Sequence, residues 1–226
     1  MKDLITLSEQ ILLSVKNEQP SDSLTSELEQ YLHSQLHIQL KTDGQKKAFW
    51  INIYNAYFLI LRKYQNVDKP DIYRKKLVTI AGKKWSLDDI EHGILRKGRF
   101  KYSFGFFPNP FLSKAIKQLA VKKIDYRIHF ALNCGAKSCP PIAFYSADKI
   151  DQQLKTATLS FLENETTIDQ DNKTISVSRL MLWYLGDFGG KSGIKRILKN
   201  KLNLNTRGYK VIFNQYSWEE NLDNFI

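Results

Sequence analysis

Gln45-Lys46-Lys47-Ala48-Phe49-Trp50-Ile51-Asn52-Ile53-Tyr54-Asn55-Ala56-Tyr57-Phe58-Leu59-Ile60-Leu61 is a run with almost no polar face. Thr42-Asp43-Gly44 before it supplies a helix start, so the run predicts a helix over about residues 45–64. A helix that is apolar all round must be covered on all sides, which makes this one the central, buried helix of the domain. The uninterrupted part is too short, and with Asn52 and Asn55 too polar, to span a bilayer. Those two asparagines lie three apart on one face. A buried amide without partners costs about 1–3 kcal/mol. Each therefore needs a partner, and the backbone of a neighbouring loop, such as residues 134–141, is the expected one.

On the N-terminal side, Leu4, Leu7, Ile11, Leu12 and Val15 recur at helical spacing, as do Leu24, Leu28, Tyr31, Leu32, Leu36 and Leu40. Two amphipathic helices are expected, over about 4–15 and 23–40, separated by Pro20-Ser21-Asp22. On the C-terminal side, residues 77–80 and 83–85 read as a hairpin around Ala81-Gly82. Ser86 starts another helix with Asp88 and Asp89 in its first turn. Residues 102–111, with Gly105, Pro108 and Pro110 among aromatics, read as a loop. A short helix follows over 111–119. Residues 126–133 alternate apolar with other side chains and suggest a strand, and a turn-rich loop follows it. Further on come a helix over 148–162, a strand at 174–178, a helical turn at 180–184, a basic helix over 194–202 and a last strand over 208–216. Helices and strands do not alternate regularly. The class is α+β, a single helix-rich domain with a small, mostly antiparallel sheet. Residues 1–42 are expected to pack as helices on a main domain of 43–226.

The 226 residues carry a net charge of +11 with an ordinary globular balance of 42% hydrophobic and 25% charged residues, which argues against disorder. The basic residues are scattered in pairs except over 191–201, so nucleic acid is not the expected partner; a small molecule or a protein is. The N-terminus reads Met1-Lys2-Asp3-Leu4-Ile5-Thr6-Leu7-Ser8-Glu9, without a signal-peptide core, and a cytoplasmic location with no transmembrane segment is expected. In that compartment Cys134 and Cys139 are expected as thiols.

The densest chemistry lies in residues 127–139: Arg127, His129, Asn133, Cys134, Ser138 and Cys139. His129 with Cys134 or Cys139 could form a thiol nucleophile and its base, with Asn133, Asn52 or Asn55 orienting the imidazole or stabilising an oxyanion. The Cys139-Pro140-Pro141 sequence could bring backbone amides near the sulfur. The alternative is that Cys134 packs as a small hydrophobe and His129 as a satisfied core histidine. Zinc on His129, Cys134, Cys139 and His92 fits the usual spacings poorly, and no metal is expected. Asp88, Glu91 and His92 form a second cluster at helical spacing, suited to proton transfer or, more plainly, to complementing a helix dipole. No phosphate-binding G-x-x-x-x-G-K-S/T or G-x-G-x-x-G occurs, and no cofactor is expected.

Three stretches together resemble the domain-of-unknown-function 547 family. They are Phe49-Trp50-Ile51-Asn52-Ile53-Tyr54-Asn55-Ala56, Trp85-Ser86-Leu87-Asp88-Asp89-Ile90-Glu91-His92-Gly93-Ile94-Leu95-Arg96, and Arg127-Ile128-His129-Phe130-Ala131-Leu132-Asn133-Cys134-Gly135-Ala136-Lys137-Ser138-Cys139-Pro140-Pro141. A weaker tail includes Trp183-Tyr184, Asp187-Phe188-Gly189 and Tyr216-Ser217-Trp218. The resemblance implies motif residues at Asn52, Tyr54, Asn55, Glu91, His92, Arg127, His129, Asn133, Cys134, Ser138, Cys139 and Pro140. It is compatible with a thiol-dependent hydrolase or transferase and equally with a non-catalytic interaction or scaffold module.

Overall fold

The computed structural model describes residues 2–226. Helix α1 (Leu4–Lys16) is capped by the Asp3 carboxylate, which accepts from the Ile5 and Thr6 amides. The expected single helix over 23–40 is two, α2 (Asp22–Glu29) and α3 (His33–Gln39). The last carbonyls of α2, Leu28 and Glu29, accept instead from Ala81 and Gly82 of the hairpin turn, at 3.1 and 3.0 Å. A docked turn thus replaces the continuation of the helix, and Gln35 Oε1 caps the new start by accepting from Leu32 N at 2.6 Å.

Helix α4 (Asp43–Leu59) runs on through a wider π turn to Tyr64, close to the expected span. Thr42 and Gln45 form its capping box. Every residue from Ala48 to Leu59 is buried. α1 lies along α4, and Leu4, Leu7 and Ile11 share one core with Phe49, Trp50 and Ile53. A short α5 (Asp71–Arg74) leads to strands β1 (Val78–Ile80) and β2 (Lys83–Trp85), an antiparallel hairpin pairing Val78 with Trp85.

Ser86 and Asp89 cap each other's backbone, and a π-helical segment Asp89–Leu95 follows. Beyond it lie a 3-10 turn Lys101–Ser103 and α6 (Lys114–Leu119), started by Ser113. The strand expected over 126–133 is a 3-10 helix, Tyr126–Phe130. Asp125 caps it at Arg127 N (3.2 Å) and is itself held by Lys47 at 2.8 Å. Among the described residues no strand pairs with the segment; Asn55 takes the backbone groups of Ala131 and Asn133. Ile128, His129 and Phe130 are consequently all buried, which no half-buried strand allows.

Helix α7 (Ile150–Glu165) leads to a three-stranded sheet. In it β4 (Thr174–Val177) pairs antiparallel with β3 (Thr167–Asp169) and parallel with β5 (Lys210–Phe213). Between β4 and β5 run α8 (Leu180–Trp183) and the basic α9 (Gly190–Leu202). This sheet, with α7 and α9, encloses a second apolar cluster that includes Phe161, Ile175, Phe188 and Ile194. The fold is α+β, with one antiparallel hairpin and one mixed sheet. Ile128 belongs to the first cluster and Phe130 to the second, so His129 sits on the seam between them. No helix among the described residues is long and apolar enough to cross a membrane.

Candidate functional site: a cavity over a buried charge network

A cavity of about 330 Å³ opens along this seam. α4 contributes Tyr54, the π-helical segment Glu91 and His92, and the 3-10 helix His129. The loop after it contributes Cys134 and Cys139, and the C-terminal part of the chain Trp183, Tyr184, Tyr216 and Trp218. A π turn widens the helix, and such turns recur at functional sites. Here it turns two adjacent residues, Glu91 and His92, into the same cavity while Arg96 reaches back to His92.

The polar groups behind the wall form one network. Arg96 Nε donates to Asp187 Oδ2 at 2.6 Å, and both side chains are almost completely buried. His129 Nε2 lies 2.9 Å from the same oxygen. Arg96 Nη1 lies 2.7 Å from His92 Nδ1. Arginine can only donate, so His92 Nδ1 is the acceptor and its proton sits on Nε2. Burial pushes the Asp187 carboxyl up, but His129 and Arg96 hold it below its ordinary value. Facing a carboxylate, His129 Nε2 must carry hydrogen. Burial lowers its pKa, the Asp187 bond raises it and Arg96 lowers it again, with a net fall. His129 is therefore a neutral imidazole with its lone pair on Nδ1. His92 is also shifted down, by burial first, with Glu91 opposing.

Two carboxylates line the cavity, Asp88, 3.5 Å from His92 Nε2, and the more deeply placed Glu91. Burial would raise its pKa, yet His92, Arg96, the Tyr184 hydroxyl and His129 bring it below its ordinary value. Tyr54 donates to its Oε2 at 3.2 Å. The Tyr54 and Tyr184 phenols stay protonated, because burial and then Glu91 raise their pKa values well above the ordinary range. Tyr184 stacks on His129 at 3.9 Å between centroids, and the Arg96 guanidinium lies 4.6 Å from the same ring. Gly105 (φ +81°) seals the network from behind. A Cβ there would lie 2.5 Å from Arg96 Nη2 and 2.6 Å from Asp187 Oδ1, so only glycine fits.

The opposite wall is apolar. Trp183, Tyr216 and Trp218 lie within 5.5 Å of one another, centroid to centroid. Beside them the expected thiols are a disulfide, Cys134–Cys139. The loop geometry explains the pairing. Asn133 Nδ2 donates to Pro140 O at 2.7 Å and its Oδ1 accepts from Gly135 N at 2.6 Å, folding the loop back so that the two cysteines meet. The bonded sulfurs offer neither a nucleophilic thiolate nor a metal ligand. An amide does reach Cys139 Sγ, but it comes from Cys134 N at 3.0 Å and not from a helix start.

His129, Cys134, Cys139, Glu91 and His92 thus line one cavity. The other residues singled out lie behind it. Asn52 exchanges two bonds with the Tyr145 backbone (2.8 and 3.0 Å), and Asn55 donates to Ala131 O and accepts from Asn133 N, both at 2.9 Å. The expected partner loop, residues 134–141, takes neither amide: Asn55 bonds Ala131 and Asn133 just upstream of it, and Asn52 holds the loop at Tyr145. Arg127 binds Asp125 and Asp151 at 2.8 and 2.7 Å, away from the cavity. Ser138 Oγ accepts from Ser217 N at 3.0 Å. The motif residues read from the sequence do not include Asp187, Arg96, Tyr184 or Tyr216, which complete the site. The available signal was the tail around Gly186-Asp187-Phe188-Gly189, where the glycines permit close backbone approach: a Cβ on Gly186 would lie 2.6 Å from the Gly105 carbonyl carbon.

A family model described as "Protein of unknown function, DUF547" matches residues 38–162, more than half of the chain. The chain belongs to that family. The matched span holds Tyr54, Glu91, His92, His129 and the disulfide, while Tyr184, Asp187 and Tyr216 lie beyond it. Neither a curated protein nor a solved structure matches the chain.

Proposed function

We propose that the cavity is the working site of an enzyme of hydrolase or transferase type that acts on a small ligand, with His129 as the general base. The observation that carries this reading is the clamped imidazole, His129 Nε2 to Asp187 at 2.9 Å and Asp187 to Arg96 at 2.6 Å, in the wall of an aromatic-lined cavity. Fixing Nε2–H leaves Nδ1 to take a proton from a hydroxyl or water, and the carboxylate stabilises the imidazolium that results. His92, with its proton on Nε2 3.5 Å from Asp88 Oδ1, donates to a developing oxyanion by turning from that carboxylate. Glu91 anchors a hydrogen-donating or cationic group of the ligand, and Trp183, Tyr216 and Trp218 hold its apolar body. In the disulfide state the nucleophile is water or a second ligand group, since neither sulfur is free.

Hydrolysis of p-nitrophenyl acetate tests the reading. The wild-type chain should exceed the buffer rate, and His129→Ala should lose about 10²-fold, the lower range of general-base effects. Asp187→Asn, which no longer fixes the tautomer, should lose nearly as much. An unchanged rate in folded His129→Ala contradicts the assignment.

An interaction module is the second reading, favoured by one observation. Tyr102, Phe104, Phe106, Phe107 and Phe111 are all exposed within ten residues, Phe111 by 88%. Exposed aromatic clusters of this kind mark docking surfaces. Under this reading, Phe107→Ser with Phe111→Ser abolishes concentration-dependent self-association in sedimentation, and the esterase rate never exceeds buffer.

A further inference from the structure

The disulfide has a setting that packing alone does not call for. Both sulfurs belong to residues lining the cavity. Cys134 is half-buried, whereas Cys139 is only 5% exposed. Cys139 Sγ lies 3.0 Å from the Cys134 amide and 3.1 Å from the Tyr216 hydroxyl. The same hydroxyl is 3.3 Å from Cys134 Sγ. Burial first, and then Glu165, raise the Tyr216 pKa, so that group remains a donor. Two donors on one sulfur favour it as a thiolate, and a thiolate of lowered pKa is the better leaving group in disulfide exchange.

The loop does not depend on the sulfur bond for its shape. The cysteines are five residues apart, so the bond closes a short loop and removes little entropy from the unfolded chain. The loop is also tied at many other points. Asn133 bonds Gly135 and Pro140, Lys137 N donates to Glu219 O at 2.7 Å, Asn221 N to Gly135 O at 2.8 Å, and Asn224 Nδ2 to Cys139 O at 3.3 Å. The sulfurs can part without the surrounding backbone having to rearrange.

We propose that Cys134–Cys139 is a redox-active pair that exchanges with a small-molecule thiol bound in the cavity. The thiolate of the ligand attacks Cys134 Sγ, the accessible sulfur. A ligand–Cys134 disulfide forms, the Cys134–Cys139 bond breaks, and its electron pair leaves on Cys139 Sγ, held by the Cys134 amide and the Tyr216 hydroxyl. A second thiol then attacks the ligand sulfur of the mixed disulfide and releases Cys134. The balance is one protein disulfide and two thiols giving one protein dithiol and one ligand disulfide. Two electrons and two protons pass to the protein, and the reverse sequence reoxidises it. This activity shares the cavity with the His129 chemistry but does not rest on it.

The test uses the folded full chain and reduced glutathione, with thiols trapped by alkylation and located by mass spectrometry. The native pair should be reduced without unfolding, and in Cys139→Ser glutathione disulfide should cap Cys134. In Cys134→Ser the remaining Cys139 thiol should titrate, by thiolate absorbance, below the ~8.5 of a free thiol. Adding Tyr216→Phe to that variant should raise the value, and Tyr216→Phe alone should slow reduction of the native pair by about tenfold, as expected for losing one hydrogen bond to a charged group. Reduction only at the rate of unfolding overturns the proposal, as does a Cys139 thiol titrating above the free value. Neither readout involves ester hydrolysis, so failure here leaves the His129 reading standing, and the reverse.

Discussion

The molecule buries two sets of polar side chains, and they are built on opposite rules. The asparagines Asn52, Asn55 and Asn133 are neutral, and their amide groups pair with backbone of a nearby loop. The set of Glu91, His92, Arg96, His129 and Asp187 is charged and linked through side chains. It keeps unused capacity: Glu91 Oε1, in a cavity-lining residue, and Arg96 Nη2 and Asp187 Oδ1, against Gly105, are buried without a hydrogen-bond partner among the described residues. A satisfied neutral set braces a fold at modest gain per bond. A buried charged set rarely stabilises better than apolar packing of the same volume. Polarity alone does not separate a brace from a site; charge with capacity to spare, beside a cavity, does.

The largest blow to this contrast is Arg96→Met. It leaves the Asp187 carboxylate buried without its cation, and removing one partner of a buried pair costs about 3–5 kcal/mol. Chemical denaturation should show that loss, and Asp187→Asn added to the same chain should return part of it. An effect below ~1 kcal/mol would mean that water reaches the pair.

Asn55→Ala breaks the other set. It unpairs Ala131 O and Asn133 N, at about 1–3 kcal/mol for each buried group left without a partner. The midpoint of unfolding should fall accordingly, while esterase turnover per folded molecule stays close to wild type. A loss of turnover equal to that of His129→Ala would erase the distinction between brace and site.

The gentlest probe is pH. His92, His129, Glu91, Asp187 and Asp125 all have pKa values lowered by the fold. The unfolded chain therefore binds more protons wherever these groups titrate. Their stabilisation is complete above the ordinary histidine value of about 6.5 and is lost as pH falls, first through the histidines and then through the carboxylates. Melting temperature should hold between pH 8 and 7 and decline from about pH 6.5 to 5. A flat profile would mean that the imidazoles are solvated.

Much of this was legible in the chain because it is local. The capping residues of α4, the absence of a polar face and the hairpin at Ala81-Gly82 are decided within a few residues. So is the proximity of Glu91 to His92, or of His129 to the cysteines. Residues 126–130 misled because apolar alternation is shared by strands and tight helices, and the deciding contacts come from Asp125 with Lys47 and from Asn55, more than seventy positions away. Asp187 escaped for the same reason, being 91 residues from Arg96 and 58 from His129. The thiol expectation failed because it rested on compartment, whereas the pairing follows from how Asn133 folds one loop.

The state of His129 is the most direct test of the site. Long-range nitrogen–proton correlation in the imidazole ring, on uniformly labelled protein, reads the tautomer. We expect neutral His129 at pH 7 with hydrogen on Nε2 and a bare Nδ1, persisting below the pH at which an exposed histidine takes up its proton. Hydrogen on Nδ1, or a doubly protonated ring at pH 7, would contradict the clamped base and with it the catalytic reading of the cavity.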